Sequence, residues 1–180
     1  MPIRFEYNPT NVIFEDDSVI VRGTTWLAQN FLIGTRGRNY QHELTNIKLY
    51  MRRTGTTGDV TISIRSAPGG VITGSDIVSS TVNGNLISTS NEWVNFDFTT
   101  PTNLSESTIY AIIIRAPDAS NDLIVLSDAS TYPGGGGDVI VQSTNSGGSW
   151  TIGLEVSTYF QEFGNVSNKN FSASNIKFGA

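Results

Sequence analysis

The chain has 180 residues, a formal net charge of -5 and no cysteine. Disulfides and thiolate metal sites are therefore excluded, and the acidic balance argues against a nucleic-acid-binding surface. A chain of this length can bury one core without covalent staples, and it has no apolar run of about 18 residues that would predict a membrane helix.

Short strands separated by turn residues make up the predicted secondary structure. In chain order, we predict strands at Ser18–Arg22, Trp26–Ile33, Ile47–Met51, Val60–Ile64, Ile77–Val82, Leu86–Ser88, Trp93–Thr99, Ile109–Ile114, Leu123–Leu126, Asp138–Ser143 and Leu154–Gln161. The polar segment Thr35–Glu43 is predicted to be a loop. Asn83-Gly84 predicts a tight hairpin turn, because both residues tolerate positive φ.

The stretch from Trp93 to Arg115 carries the clearest pattern. Val94, Phe96 and Phe98 alternate with polar residues, which is typical of a strand with one buried face. Thr100-Pro101 predicts a break, since proline cannot donate a ladder hydrogen bond. The uniformly apolar run Ile109–Ile114 then predicts a strand buried on both faces. We expect one core that contains Leu49, Ile62, Phe96, Phe98 and Ile112.

No window keeps a helical period, so the fold class predicted is all-β, a jelly-roll-like antiparallel β-sandwich. We expect residues 1–180 to form a single domain, with the core sandwich at about 18–164. Residues 1–17 and 165–180 are then extensions, and both contain apolar side chains. These side chains predict that each extension packs on its own sandwich or on a neighbouring subunit.

Several residue groups occur in an order typical of one family. In chain order they are Ala28-Gln29 with Phe31, Ile47–Met51, Val60–Ile64, Pro68-Gly69, Trp93 with Phe96, Leu104, Tyr110-Ala111-Ile112, Tyr132-Pro133-Gly134-Gly135, Gly147-Gly148-Ser149-Trp150 and Tyr159-Phe160. On these residues the chain resembles the β-sandwich (choice-of-anchor type) modules of phage and other viral structural proteins and of microbial surface proteins. The resemblance spans Trp26 to Gly164, and the extra glycines after Tyr132-Pro133 depart from it.

The resemblance implies a non-enzymatic structural or interaction protein on a virion surface, such as a capsid decoration, fibre or baseplate-associated subunit. Its partners would be other virion subunits or further copies of itself, with host attachment through a glycan as an added role. The N-terminus, MPIRFEYNPT, has no apolar signal-peptide region, as expected for assembly in the cytoplasm. The alternative is an extracellular carbohydrate-binding module of a secreted enzyme or adhesin. Neither function needs nucleic acid or a membrane.

Catalytic patterns are weak in this sequence. His42 is the only histidine, it is predicted to be a solvated loop residue, and no G-x-S-x-G elbow accompanies it. Carboxylates such as Asp97 and Glu155 fall on the polar faces of predicted strands, and no spacing singles out a pair. We therefore predict that the protein is not an enzyme.

A glycan site would need exposed aromatic rings beside polar side chains. Trp93 is predicted to be a core residue, so we place the ligand-binding platform on loop aromatics and their polar neighbours. The predicted set is Tyr40, Tyr132, Trp150, Arg38 and Asn39. Residues 36–53 are also locally basic, which predicts either a solvated strand face or contact with an acidic subunit or an anionic glycan.

Two further predictions concern a metal and an interface. No cofactor is expected except a structural calcium ion, for which Asp118, Asp122 and Asp128 are the candidate ligands because calcium takes oxygen ligands from loops. The C-terminal extension carries Phe171, Ile176 and Phe178, which we predict to contact another subunit by adding a strand to an exposed sheet edge.

Overall fold

Two antiparallel sheets pack face to face in this computed structural model, which describes residues 3–7, 17–33, 41–128, 140–152 and 157–166. The strands are β1 Ile3–Tyr7, β2 Asp17–Val21, β3 Trp26–Leu32, β4 His42–Arg53, β5 Asp59–Ser66, β6 Thr73–Asn83, β7 Glu92–Leu104, β8 Ile109–Arg115, β9 Leu123–Asp128, β10 Ile140–Ser143, β11 Thr151–Ile152, β12 Ser157–Thr158 and β13 Phe160–Val166. The predicted all-β sandwich is confirmed. No helix of the described part is long and apolar enough to cross a membrane.

Strand β4 organises the first sheet, which has seven strands among the described residues. β13 pairs with one edge of β4 and β7 with the other, and β1 pairs with the far edge of β13. Beyond the start of β13, the last residues of β4 pair with β9, which also pairs with β2 and β12. The second sheet has the order β11-β10-β3-β8-β5-β6.

The core lies between the two sheets and contains all five residues that the alternation placed there. Leu49, Ile62, Phe96, Phe98 and Ile112 belong to one buried cluster. Strand β8 is buried on both faces as predicted, because its even-numbered residues face this core while Ala111 and Ile113 join a second cluster on the outer face of the six-stranded sheet.

One predicted turn is wrong, and one predicted break lies inside a longer strand. β7 does not end at Thr100-Pro101, but its pairing with β4 is interrupted there. Its partner residues jump from Asn46↔Asp97 to Leu44↔Thr102, so Phe98–Pro101 bulge away from β4 and the proline costs no ladder bond. The Asn83-Gly84 hairpin does not form either. Asn83 has φ -70° and caps a 3₁₀ turn, Gly84–Leu86, that leads the chain from β6 to the other sheet.

The extensions are only partly described. Within the N-terminal one, β1 pairs with β13 and so adds an edge strand to the molecule's own sandwich. Strand β13 itself continues two residues past 164, where Asn165 and Val166 pair with the start of β4. Phe171, Ile176 and Phe178 lie outside the described residues, so their predicted interface stays a prediction.

Candidate binding face

The outer face of the seven-stranded sheet carries a grid of aromatic and polar side chains. Its positions follow from strand alternation: Ile47, Leu49 and Met51 of β4 face the core, so the residues between them face outward. The pairing register then places outward-facing residues of β7 on one side of β4 and those of β13 on the other. We call this surface the aromatic face and define it by Asn46, Lys48, Tyr50, Arg52, Trp93, Asn95, Asp97, Tyr159, Gln161 and Phe163.

Three rings cross the aromatic face in a row. The ring centroids of Tyr50 and Trp93 are 5.3 Å apart at an interplanar angle of 46°, and those of Tyr50 and Tyr159 are 6.3 Å apart at 75°. These separations fall within the range of favourable aromatic pairs. Tyr159 is buried, whereas Tyr50 and Trp93 are only partly buried and pack against Ile124 and Leu126. The rings are tilted, so they form a ridged surface rather than one plane.

The prediction that Trp93 is a core residue is wrong. Val94 and Phe96 occupy the inward positions of β7, and alternation sends Trp93 to the opposite face. Sequence reasoning also missed Tyr50 as a ligand-binding candidate, and it placed Lys48 and Arg52 only within the basic segment 36–53. The signal was present, because these three residues alternate with Ile47, Leu49 and Met51 in the sequence.

Polar groups lie beside the ring row on three strands. Lys48 pairs in register with Asn95 on one side and Gln161 on the other, and its ammonium lies 5.4 Å from the centroid of the Phe163 ring. Asn46 Nδ2 donates a 2.7 Å hydrogen bond to Asn95 Oδ1, which leaves the Asn95 amide nitrogen available as a donor. Aromatic faces with nearby amide and cationic donors are the arrangement that a sugar ring requires.

A cleft adjoins this face at Trp93. It has a volume of about 210 Å³ and opens between β6 and β7, which are edge strands of different sheets. This volume is below that of typical ligand pockets, which begin at roughly 300 Å³. Its lining combines apolar side chains with one amide and one carboxylate: Val82, Asn83, Leu86, Ile87, Glu92, Trp93 and Val94.

The opposite outer face, on the six-stranded sheet, has its charges paired internally. Asp76 accepts hydrogen bonds from Arg65 Nε at 2.7 Å and from Arg115 Nη2 at 2.6 Å, and both guanidinium groups lie over the Trp26 ring. Burial by itself raises the pKa of Asp76, but the hydrogen bonds from Arg115, Arg65 and Ser63 outweigh it and leave that pKa lowered. This cluster is a structural layer over Trp26.

Trp150 lies on this opposite face and not beside Tyr50. A Cβ atom placed on Gly147 would come within 2.8 Å of Trp26 Cζ3 and 3.6 Å of Trp150 Cζ2. The turn at Gly147 therefore packs closely against both indole rings. The other members of the predicted platform, Tyr40, Tyr132, Arg38 and Asn39, lie outside the described residues. The platform that the sequence predicts from these five residues therefore stays a prediction.

His42 is a buried strand residue, so the prediction of a solvated loop histidine is wrong. Its Nε2 lies 2.6 Å from Glu162 Oε1, and both side chains are 0% exposed. Gly164 makes room for the imidazole, since a Cβ there would come within 2.7 Å of His42 Cδ2. The prediction failed because His42 follows a polar segment, while its burial depends on pairing with β13, 120 residues away.

The three predicted calcium ligands are not brought together. Asp118 and Asp122 lie in the connection between β8 and β9, where Asp122 pairs with Arg22 at 3.1 Å. Asp128 ends β9, and six residues of extended strand separate it from Asp122 by roughly 20 Å. Over the described ranges, no group of three or more histidine, aspartate or glutamate side chains is placed to hold a metal ion.

Comparison with known proteins finds no family model that matches this chain and no curated protein that matches it significantly.

Proposed function

We propose that this protein is a non-enzymatic interaction protein that binds a glycan on the aromatic face. The observation that supports this best is the pair of partly exposed rings, Tyr50 and Trp93, beside the amides of Asn95 and Gln161. A pyranose ring presents an apolar C–H face to an aromatic ring while its hydroxyl groups take hydrogen bonds from neighbouring amides. Aromatic residues supply much of the contact area in such sites at low entropic cost.

The setting that we propose is the surface of a virion, where the protein would serve as a decoration, fibre or baseplate-associated subunit and contribute to host attachment. The support for this setting is the family resemblance in the sequence, together with the two-sheet sandwich to which that resemblance points. Its partners would be other virion subunits or further copies of this chain. The fold alone does not distinguish this setting from others.

The burial of His42 supports the non-enzymatic part of the proposal. A general base must come within hydrogen-bond reach of its substrate, and this imidazole is enclosed between the sheets with Glu162 as its partner. Asp97 and Glu92, the two carboxylates of β7, lie on different faces of that strand, because the register places Asp97 opposite Asn46 and Glu92 opposite Met51.

The alternative is a carbohydrate-binding module of a secreted enzyme or adhesin. The aromatic face favours this function as much as it favours host attachment, because both need the same sugar contacts. Assembly state separates the two. A specific oligomer in solution supports the virion subunit, whereas a monomer retarded by a polysaccharide gel supports the module.

The test is affinity electrophoresis of the full chain through gels that contain neutral and acidic polysaccharides. Tyr50→Ala and Trp93→Ala should abolish retardation by any gel that retards the parent. Trp150→Ala is the matched control, because that indole lies on the opposite face, and it should leave retardation unchanged. Thermal midpoints of all three variants establish that they are folded. If the parent passes every gel unretarded, or if Trp150→Ala alone abolishes retardation, the proposal is wrong.

A further inference from the structure

Arg52 differs from the other arginines whose side chains the structure describes. Those arginines all have partners: Arg22 pairs with Asp122, Arg65 and Arg115 pair with Asp76, and Arg53 donates to the carbonyl groups of Ile87 and Gly55. Arg52 is partly buried, and its guanidinium group makes no hydrogen bond or ion pair with any described residue. A guanidinium carries five N–H donors, so an unpaired one beside apolar surface is poised for an anionic partner.

The position of Arg52 links it to the ring row. It follows Tyr50 by two residues, so the two side chains point to the same face at a Cα separation of about 7 Å. On β9 its register partner is Ile124, which belongs to the apolar cluster against which Tyr50 and Trp93 pack. Arg52 therefore lies at the apolar margin of the row, where an arginine stem can cover apolar surface while its charged end stays in water.

We infer that the glycan bound on the aromatic face is acidic and carries a carboxylate that Arg52 binds; this inference rests on the proposed function. The guanidinium fork matches the two oxygens of a carboxylate and accepts them in a bidentate pair. Lys48, on the other side of Tyr50, supplies a second donor for hydroxyl groups. The ring row thus orients the plane of the bound sugar ring, and Arg52 determines where the carboxylate of the ligand lies.

The few positive charges on the aromatic face limit the number of negative charges that a bound ligand can carry. Lys48 and Arg52 are its two cations, and four residues of strand separate them by roughly 13 Å. Asp97 lies on the same face, and the chain as a whole carries a net charge of -5. A densely charged polyanion would be repelled by that field. The fitting ligand is a sugar chain with one isolated carboxylate among neutral residues, as a sialic acid or a single hexuronic acid provides.

Two matched pairs of probes test the inference by calorimetric or NMR titration of the full chain. One pair is sialyllactose against lactose. The other is xylotriose bearing one glucuronic acid, against the same oligosaccharide after reduction of its carboxyl group. At least one acidic probe should bind roughly ten- to hundredfold tighter than its neutral partner, because a hydrogen bond to a charged group has about that effect. The pair that shows the difference identifies the source of the carboxylate.

Variants assign the difference to one residue. Arg52→Gln should reduce the affinity for the acidic probe to that for the neutral probe. Arg22→Gln is the control. It removes the same charge directly after the end of β2, where Arg22 already forms an ion pair with Asp122. If the neutral probes bind as tightly as the acidic ones and Tyr50→Ala abolishes both, the inference is wrong and the proposed function stands. If neither class binds, both are wrong.

Discussion

At the scale of single residues, the buried pair of His42 and Glu162 makes the sharpest stability prediction. Among the described residues, His42 is the one hydrogen-bond partner of the Glu162 carboxyl group, whose Oε2 has none. His42→Ala leaves a buried carboxyl group unpaired, which should lower the free energy of unfolding by about 3–5 kcal/mol. Urea denaturation measures this change. The double variant His42→Ala/Glu162→Leu should recover part of the loss, and an unchanged midpoint in the single variant would contradict the burial.

Asp76 makes a prediction about pH. Its pKa in the folded protein is lowered below its usual value of 3.8, so the folded state holds its proton less tightly than the unfolded state does. The stabilisation is therefore present above about pH 4 and is lost as the pH falls through the lowered pKa. Asp76→Asn should be less stable than the parent at neutral pH, and the gap should shrink below about pH 4. Urea denaturation of both proteins across this pH range measures the gap.

At the scale of elements, the connection from β6 to β7 depends on one glycine. A Cβ atom on Gly84 would lie 2.6 Å from Gly58 O, from Thr57 Oγ1 and from Val60 Cγ2. Gly84→Ala must therefore push the turn away from β5 and should lower the thermal midpoint clearly. Gly148→Ala is the control, because the flexible Asn145 side chain is its nearest obstacle at 3.1 Å. Equal thermal midpoints for the two variants would contradict this prediction, because they would show that the turn accommodates the added Cβ atom without loss of stability.

At the scale of the whole molecule, the proposed interface is tested by truncation. Because β13 pairs with β4 as far as Val166, the chain should be cut after residue 167 and not inside the strand. If Phe171, Ile176 and Phe178 contact a neighbouring subunit, the shortened protein should keep its thermal midpoint and lose its assembly state. Light scattering and calorimetry together measure both quantities. A truncated protein that retains the parent's oligomer size would contradict the proposed interface.

The non-enzymatic proposal also applies to the molecule as a whole. A screen with chromogenic glycosides, esters and peptides should give no turnover above buffer. His42→Ala is a poor probe of catalysis, since it is expected to lose stability. Asp97→Asn and Glu92→Gln remove the two carboxylates of β7, the strand that carries Trp93, and test the point directly. Turnover by the parent that either variant abolishes would overturn the proposal.

Much of the fold could be predicted because strand alternation is a local property. A side chain's face in a strand depends only on whether its position is odd or even, so Phe96, Ile62 and Leu49 could be assigned to the core from the sequence. The same rule correctly separates Tyr50 and Arg52 from the core. The error at Trp93 came from assigning the first residue of a strongly patterned strand to the core, although Val94 and Phe96 take the inward positions.

By itself, then, the sequence determined the all-β class, the two-sided burial of β8 and the inward set of β4 and β7. It did not predict β1, and it predicted a strand at Leu86–Ser88 where the chain leaves a 3₁₀ turn. The tertiary structure decided which strands are neighbours. Tyr50, Trp93 and Tyr159 form one row only because β4 pairs with β7 on one side and lies beside the start of β13 on the other. Likewise, His42 is buried only because β13 brings Glu162 and Gly164 against it. Strand adjacency and register arise from packing between distant segments, and no local pattern encodes them.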